Sequence, residues 1–154
     1  MDNQQIADIF RRIAELMELK DENPFKIRSY RLAADTLEDY HDSVAELARK
    51  GLKELQTIPG IGKGIGTSII ELVNTGTCSA YDQIRSEVPE TALDILRISG
   101  VGMKTAQKLF KNYQIKSLDE LEAFAATGRL ESLAGLGKKS VDKILRSIKE
   151  LKQK

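Results

Sequence analysis

A chain of 154 residues with 41% hydrophobic and 31% charged residues has the balance of an ordinary folded protein of one domain or two small ones, which excludes extensive disorder. No apolar run reaches the roughly 18 residues of a membrane span, and no basic start with an apolar stretch opens the chain, so the expected location is cytoplasmic with no membrane partner. Cys78 and His41 are each the single residue of their type, which rules out an internal disulfide and a zinc centre of Cys and His ligands.

The elements follow a helical period throughout, and strand alternation is nearly absent. Ile6, Ile9, Phe10, Ile13, Leu16 and Met17 recur at three- and four-residue spacing and predict a first helix with one broad buried stripe. Asn23-Pro24 ends that segment and opens the next, proline being tolerated in a first helical turn. Tyr30, Ala33, Ala34 and Leu37 line the inner face of this second helix. Short helices are expected at Val44–Arg49 and Leu52–Gln56. A turn through Ile58-Pro59-Gly60-Ile61-Gly62 then leads into a helix over Lys63–Asn74, closed by Gly76. Further helices are predicted over 78–86, 90–96, 103–112, 117–126 and 138–152. The fold class is all-α, a compact helical bundle.

Charge is unevenly spread along it. Residues 1–96 hold 11 Lys and Arg against 17 Asp and Glu, whereas residues 97–154 hold 13 against 6. A basic end of this kind marks either a face for a polyanion or the solvated side of a last helix. It runs through Lys138, Lys139, Lys143, Arg146, Lys149, Lys152 and Lys154.

One pattern appears three times: Ile58-Pro-Gly-Ile-Gly-Lys63-Gly-Ile65, Ile98-Ser-Gly-Val-Gly-Met-Lys104-Thr-Ala106, and Leu133-Ala-Gly-Leu-Gly-Lys-Lys139-Ser-Val141. Short helical stretches precede them at Leu52–Gln56, Leu93–Arg97 and Leu130–Ser132. The glycines permit a tight turn, positive φ and close approach of another surface. The helix after each turn directs its free N–H groups outward at its positive end, where phosphate oxygens are the natural ligand. Between the glycines, Ile61, Val101 and Leu136 are expected to anchor the turn in the core. Such a turn reaches no base edge, so binding is expected to be independent of base sequence. Read as helix-hairpin-helix motifs, these segments give Gly60, Gly62, Lys63, Gly64, Gly100, Gly102, Lys104, Thr105, Gly135, Gly137, Lys138 and Lys139 as candidate DNA contacts. One such turn alone is commonly no more than a joint; three copies in a chain with a basic end point to phosphate.

The order of these pieces resembles the N-terminal region of family X DNA polymerases, of bacterial and archaeal type, over essentially the whole chain. Asn23-Pro24-Phe25-Lys26-Ile27-Arg28-Ser29-Tyr30-Arg31-Leu32-Ala33-Ala34 resembles the family's second helix. Ile58–Gly76 resembles its first hairpin, Ile98–Phe110 its second, and Leu133–Leu145 the hairpin-like unit before the catalytic palm. The resemblance implies a lyase-like subdomain over 1–88 and a fingers-like subdomain over 89–154. The chain stops where the palm would begin, and one histidine cannot build the family's phosphoesterase domain, so no polymerase activity is expected.

The resemblance also bears on a second reaction. The family's Schiff-base lysine aligns with Ser68, whose hydroxyl cannot form an imine. Two lysines of the family's phosphate pocket align with Gly64 and Ala80, while Lys26 and Tyr30 do match pocket positions. Tyr30 is equally a core residue by its spacing, and Lys26, Arg28 and Arg31 equally a solvated helix face. The likeness implies a monovalent cation, K+ or Na+, at main-chain carbonyls of Gln56, Ile58 and Ile61 and of Leu96, Ile98 and Val101; no other cofactor is expected.

The resulting expectation is a non-catalytic, sequence-independent DNA-binding protein, favouring gapped or nicked DNA as the family's substrates imply. The competing readings are a residual abasic-site lyase acting through Lys63 or Lys26, and a protein-interaction scaffold in which the acidic half docks a basic partner. Cys78 is expected to be a half-buried small residue and His41 a surface loop residue. The acidic run Asp35, Glu38, Asp39 and Asp42 is expected to solubilise the chain.

Overall fold

The computed structural model describes residues 1–133 and 136–154, and all regular structure among them is helical. The chain divides into two compact units, Met1–Glu87 and Val88–Lys154.

The first unit is built on an antiparallel pair. Helix α1 (Asn3–Lys20) starts with a capping box: the Asp2 carboxylate accepts the Gln5 N–H and the Gln5 side chain accepts the Asp2 N–H. It ends where Asp21 turns left-handed at φ 66°. Helix α2 (Pro24–Asp39) starts three residues later, with Asn23 capping the Phe25 N–H and Pro24 in the first turn. The stripe read from the sequence is the buried one: Ile6, Phe10, Ile13 and Leu16 are fully enclosed, as are Ala34 and Leu37 of α2. Phe10 meets Tyr30 edge to face at 5.2 Å between ring centroids. Small residues at 33 and 34 let the two backbones approach.

Helices α3 (Val44–Lys50), α4 (Leu52–Leu55), α5 (Lys63–Thr75) and α6 (Ser79–Glu87) complete this unit. Gly66, within α5, is a packing glycine: a Cβ there would sit 2.5 Å from Leu52 Cδ1. Its absence leaves room for the Leu52 side chain of α4 against α5. Cys78 is fully buried rather than half-buried, because it closes the end of α5 against the core at the point where α6 begins.

The second unit contains α7 (Met103–Tyr113), α8 (Leu118–Ala126) and α9 (Lys138–Lys152). Leu109 and Ile115 pack with Leu121, Leu130, Ile144 and Ile148 as its core. Arg129 lies over the rings of Tyr113 and Phe124 at 5.1 and 5.0 Å, covering the edge of that core with its guanidinium. The segment predicted as a helix over 90–96 is instead a 3₁₀ helix, Glu90–Arg97, and a second 3₁₀ turn runs over Arg129–Ser132. Apolar spacing over so short a stretch fits either winding; the glycine turns downstream share one way in, the first of them from the α-helix α4. Each is entered by a bond spanning three residues: Ile58 N–H to Leu55 O at 3.1 Å, Ile98 N–H to Ile95 O at 3.2 Å, and Leu133 N–H to Leu130 O at 3.3 Å. The tighter winding reverses the chain in fewer residues than an α-turn does.

Candidate nucleic-acid interface

The first two glycine turns have the same backbone. Ile61 N–H donates to Ile58 O at 3.1 Å across Pro59-Gly60, and Val101 N–H donates to Ile98 O at 3.1 Å across Ser99-Gly100. Gly60 and Gly100 occupy the third position of these turns with φ +88° and +93°, which is the type II geometry that calls for glycine there and favours Pro59 before it. In the third copy Leu136 N–H donates to Leu133 O at 3.1 Å; the candidate contact Gly135 lies outside the described residues. Ile61 and Val101 are buried as anchors, while Leu136 is only half-buried.

The helix starts behind these turns are distinctive. Gly62, Gly102 and Gly137 begin α5, α7 and α9 from extended conformations with φ of −90°, −94° and −93°, and none of the three helix starts receives a side-chain cap. Among the other α-helices, Asp2, Asn23, Ser43 and Ser117 each accept an N–H from the first turn of α1, α2, α3 and α8, while the four-residue α4, begun by Gly51, has no side-chain cap. Such a cap contributes about 1 kcal/mol, so three helices that face solvent forgo it. The leading N–H groups of α5, α7 and α9 remain available to an outside acceptor.

Space around the glycines agrees. At Gly62, Gly64, Gly102 and Gly137 the backbone is not in the left-handed region, and a Cβ would meet nothing within 4 Å. The protein itself does not require glycine at these four positions; an external surface that presses on the backbone would. Lys63, Lys104, Lys138 and Lys139 are exposed beside these helix starts, and Thr105 is half-buried in the first turn of α7. Ile58 and Ile98 carbonyls each accept one hydrogen bond, which leaves a second lone pair on each.

Around Ser68 the arrangement differs. Ser68 and Tyr30 are buried, with their hydroxyl oxygens 3.2 Å apart. Burial pushes the Tyr30 phenol up, against the opposing effect of the Ser68 hydrogen bond, and burial likewise pushes the Cys78 thiol up. Tyr30 therefore faces the core next to Phe10. Lys26, one turn away on α2, is exposed, as are Arg28 and Lys63; Arg31 is held by Glu18 at 3.0 Å.

Ion pairs are more numerous in the first unit, although Lys26, Arg28, Lys50, Lys53 and Lys63 have no carboxylate partner there among the described residues. In the first, Arg11 binds Asp35 and Glu38 at 2.9 and 2.8 Å, Lys20 binds Glu87 at 2.6 Å, and Arg49 and Arg85 are paired with Glu46 and Asp82. The acidic run of α2 thus neutralises α1 as well as solubilising it. In the second unit Arg97 pairs with Asp94, and Lys152 with Asp119 and Glu122. Lys104, Lys138, Lys139, Lys143, Arg146 and Lys149 have no carboxylate partner among the described residues. Composition does not reveal this difference, because it depends on which side chains the fold brings within reach.

A family model for the helix-hairpin-helix domain matches residues 1–78, and one for the SAM-like helix-hairpin-helix tandem matches residues 92–150. The chain is 34% identical over 150 residues to the DNA polymerase/3'-5' exonuclease PolX of Bacillus subtilis (strain 168), a match covering 97% of this chain and 25% of that protein. It is 28% identical over 116 residues to DNA polymerase lambda of Rattus norvegicus, covering 75% of this chain and 18% of the relative. Over 56 residues it is 30% identical to the Holliday junction branch migration complex subunit RuvA of Aromatoleum aromaticum, covering 36% and 28%. The chain thus spans about a quarter of the length of the bacterial polymerase it matches.

Proposed function

Because the chain belongs to the helix-hairpin-helix domain family, in the form found in the N-terminal region of family X DNA polymerases, we propose that it binds DNA through the phosphate backbone, irrespective of base sequence and without chemistry of its own. The observation that carries this reading is the set of three uncapped helix starts behind open glycines. Each offers main-chain N–H groups to an anion where a side chain would obstruct it. Backbone donors of this kind fix register on a duplex and carry no base information. Main-chain carbonyls of Gln56, Ile58 and Ile61, and of Leu96, Ile98 and Val101, would hold a K+ or Na+ ion that adds positive charge beside the phosphate.

The non-catalytic part of the reading rests on the nucleophile. A Schiff base requires an amine, and the buried position beside Tyr30 holds the Ser68 hydroxyl. Lys26 and Lys63 are solvent-exposed, without the enclosure that an aldehyde-trapping lysine draws on. Borohydride treatment of the protein on abasic-site DNA is expected to give no covalent adduct. A reduced crosslink at Lys26 or Lys63 would overturn this and establish a lyase.

Binding itself is tested by fluorescence anisotropy with a 5′-phosphorylated, one-nucleotide-gapped duplex and its intact counterpart. Two or three hairpins neutralising roughly four to six phosphates give a fall in affinity on the order of 10²- to 10³-fold between 50 and 200 mM salt. Tighter binding to the gapped duplex is expected, since two hairpins can hold the backbone on both sides of a bend. Equal affinities would remove the gap preference alone. Absence of binding at 50 mM salt would remove backbone recognition and leave a scaffold for protein contacts.

A further inference from the structure

We infer that the outer face of α9 is a phosphate-binding surface additional to the hairpins, carried by Lys143, Arg146 and Lys149 and joined to the second hairpin through Ser147. This rests on the backbone-binding reading above and extends it to residues outside the glycine turns.

The helical period places the cations together. Val141, Ile144 and Ile148 bury one face of α9, so residues 138, 139, 143, 146 and 149 fall on the opposite arc of about 140° at 100° per residue. All five are exposed Lys or Arg. Two acids, Asp142 and Glu150, share the arc and are exposed, but neither forms an ion pair with these cations among the described residues. Five like charges on one arc repel one another until an anion covers them. The neighbouring cation Lys152, at the edge of the buried face, is by contrast neutralised by Asp119 and Glu122. The carboxylates that α8 supplies to α9 thus go to Lys152 and not to this arc.

Position supplies the second argument. Ser147 Oγ accepts the backbone N–H of Ser99 at 3.1 Å. Ser99 is the residue before Gly100, so the side of α9 bearing Ser147 braces the turn of the second hairpin. Lys143 lies one helical turn before Ser147 on the same side, and Arg146 is its immediate neighbour. A strand held at the second hairpin would therefore lie beside the Lys143 edge of the α9 arc. From Lys138 to Lys149 that arc runs roughly 16 Å at 1.5 Å per residue. Duplex DNA presents one phosphate per about 1.7 Å of axis, so several lie within reach along this length. A phosphodiester backbone, a regular line of unit charges, matches a cationic arc with no aromatic side chain on it.

The test uses the whole chain and the intact duplex. A Lys143→Gln/Arg146→Gln/Lys149→Gln variant is expected to reduce the slope of log K against log salt by about 2.7, at 0.9 for each of three phosphates, and to weaken binding on the order of 10²-fold at 0.1 M salt. Lys143→Arg/Lys149→Arg should keep the wild-type slope. Circular dichroism and the thermal midpoint should be unchanged in both, because the substituted side chains are exposed. A triple variant within twofold of wild type, with an unchanged slope, would overturn the α9 surface while leaving hairpin binding in place. Loss of binding in the arginine variant as well would also overturn it, since charge would then not be what the surface supplies. Wild-type protein that shows no salt-dependent binding would instead remove the backbone reading itself. Binding of an acidic protein by α9, with DNA affinity unaltered in the triple variant, would reassign the face.

Discussion

Reversing two charges, in a Lys104→Glu/Lys138→Glu double variant, is expected to weaken binding to duplex DNA on the order of 10²- to 10³-fold at 0.1 M salt and to leave the helical content intact. Lys104 is exposed in the first turn of α7 and Lys138 is exposed at the start of α9, each directly behind an uncapped glycine. Each reversal removes a counterion-releasing contact and places an anion where a phosphate would sit. Two lost contacts account for a slope reduction of about 1.8, and repulsion adds to it. The folded state should tolerate the change well. A carboxylate in a first helical turn is favoured by the helix dipole by roughly 0.3–1 kcal/mol, so a loss of binding would not be a by-product of unfolding. Anisotropy titration with thermal unfolding of the same sample decides the matter. A double variant that binds as wild type would show that these two helix starts do not meet the backbone.

Truncating Phe10 to alanine should destabilise the first unit by about 3–5 kcal/mol, the range for a large aromatic removed from a core. Phe10 is fully enclosed and holds Tyr30 edge to face, and Tyr30 in turn reaches Ser68 of α5. The contact therefore ties both helices of the α1–α2 pair to the helix that carries the first hairpin. Small domains have only about 5–15 kcal/mol in total, so a loss of this size leaves the first hairpin partly unfolded at ambient temperature. Urea unfolding followed by circular dichroism measures it. A cost below about 1 kcal/mol would mean that the surrounding residues close over the vacated volume, and that Tyr30 does not depend on Phe10 for its position.

Much of the fold was legible before any coordinates, because helices and glycine turns are local. Three- and four-residue spacing determined which faces of α1 and α2 are buried, through the period of the helix alone. Gly60 and Gly100 announced turns needing positive φ, and the backbone there has it. Helix ends shifted by only a residue or so, as with Lys63–Thr75 for a predicted Lys63–Asn74. The exception is the 3₁₀ winding over Glu90–Arg97. Apolar periodicity does not separate the two windings over eight residues.

The site was less legible. Sequence by itself determined the motif, its three copies and the basic end, since these are properties of residue order. Tertiary structure alone decided three things. It gave Tyr30, which helical spacing already placed on the inner face of α2, its partners, Phe10 against the ring and Ser68 at the hydroxyl. It sorted the cations, neutralising Arg11, Lys20 and Lys152 with carboxylates from distant helices and leaving those of the α9 arc without any. And it joined Ser147 to Ser99 across 48 residues of chain. Each of these depends on groups brought together from far apart in the sequence, and Coulomb and hydrogen-bond energies act over ångströms of space rather than along the chain.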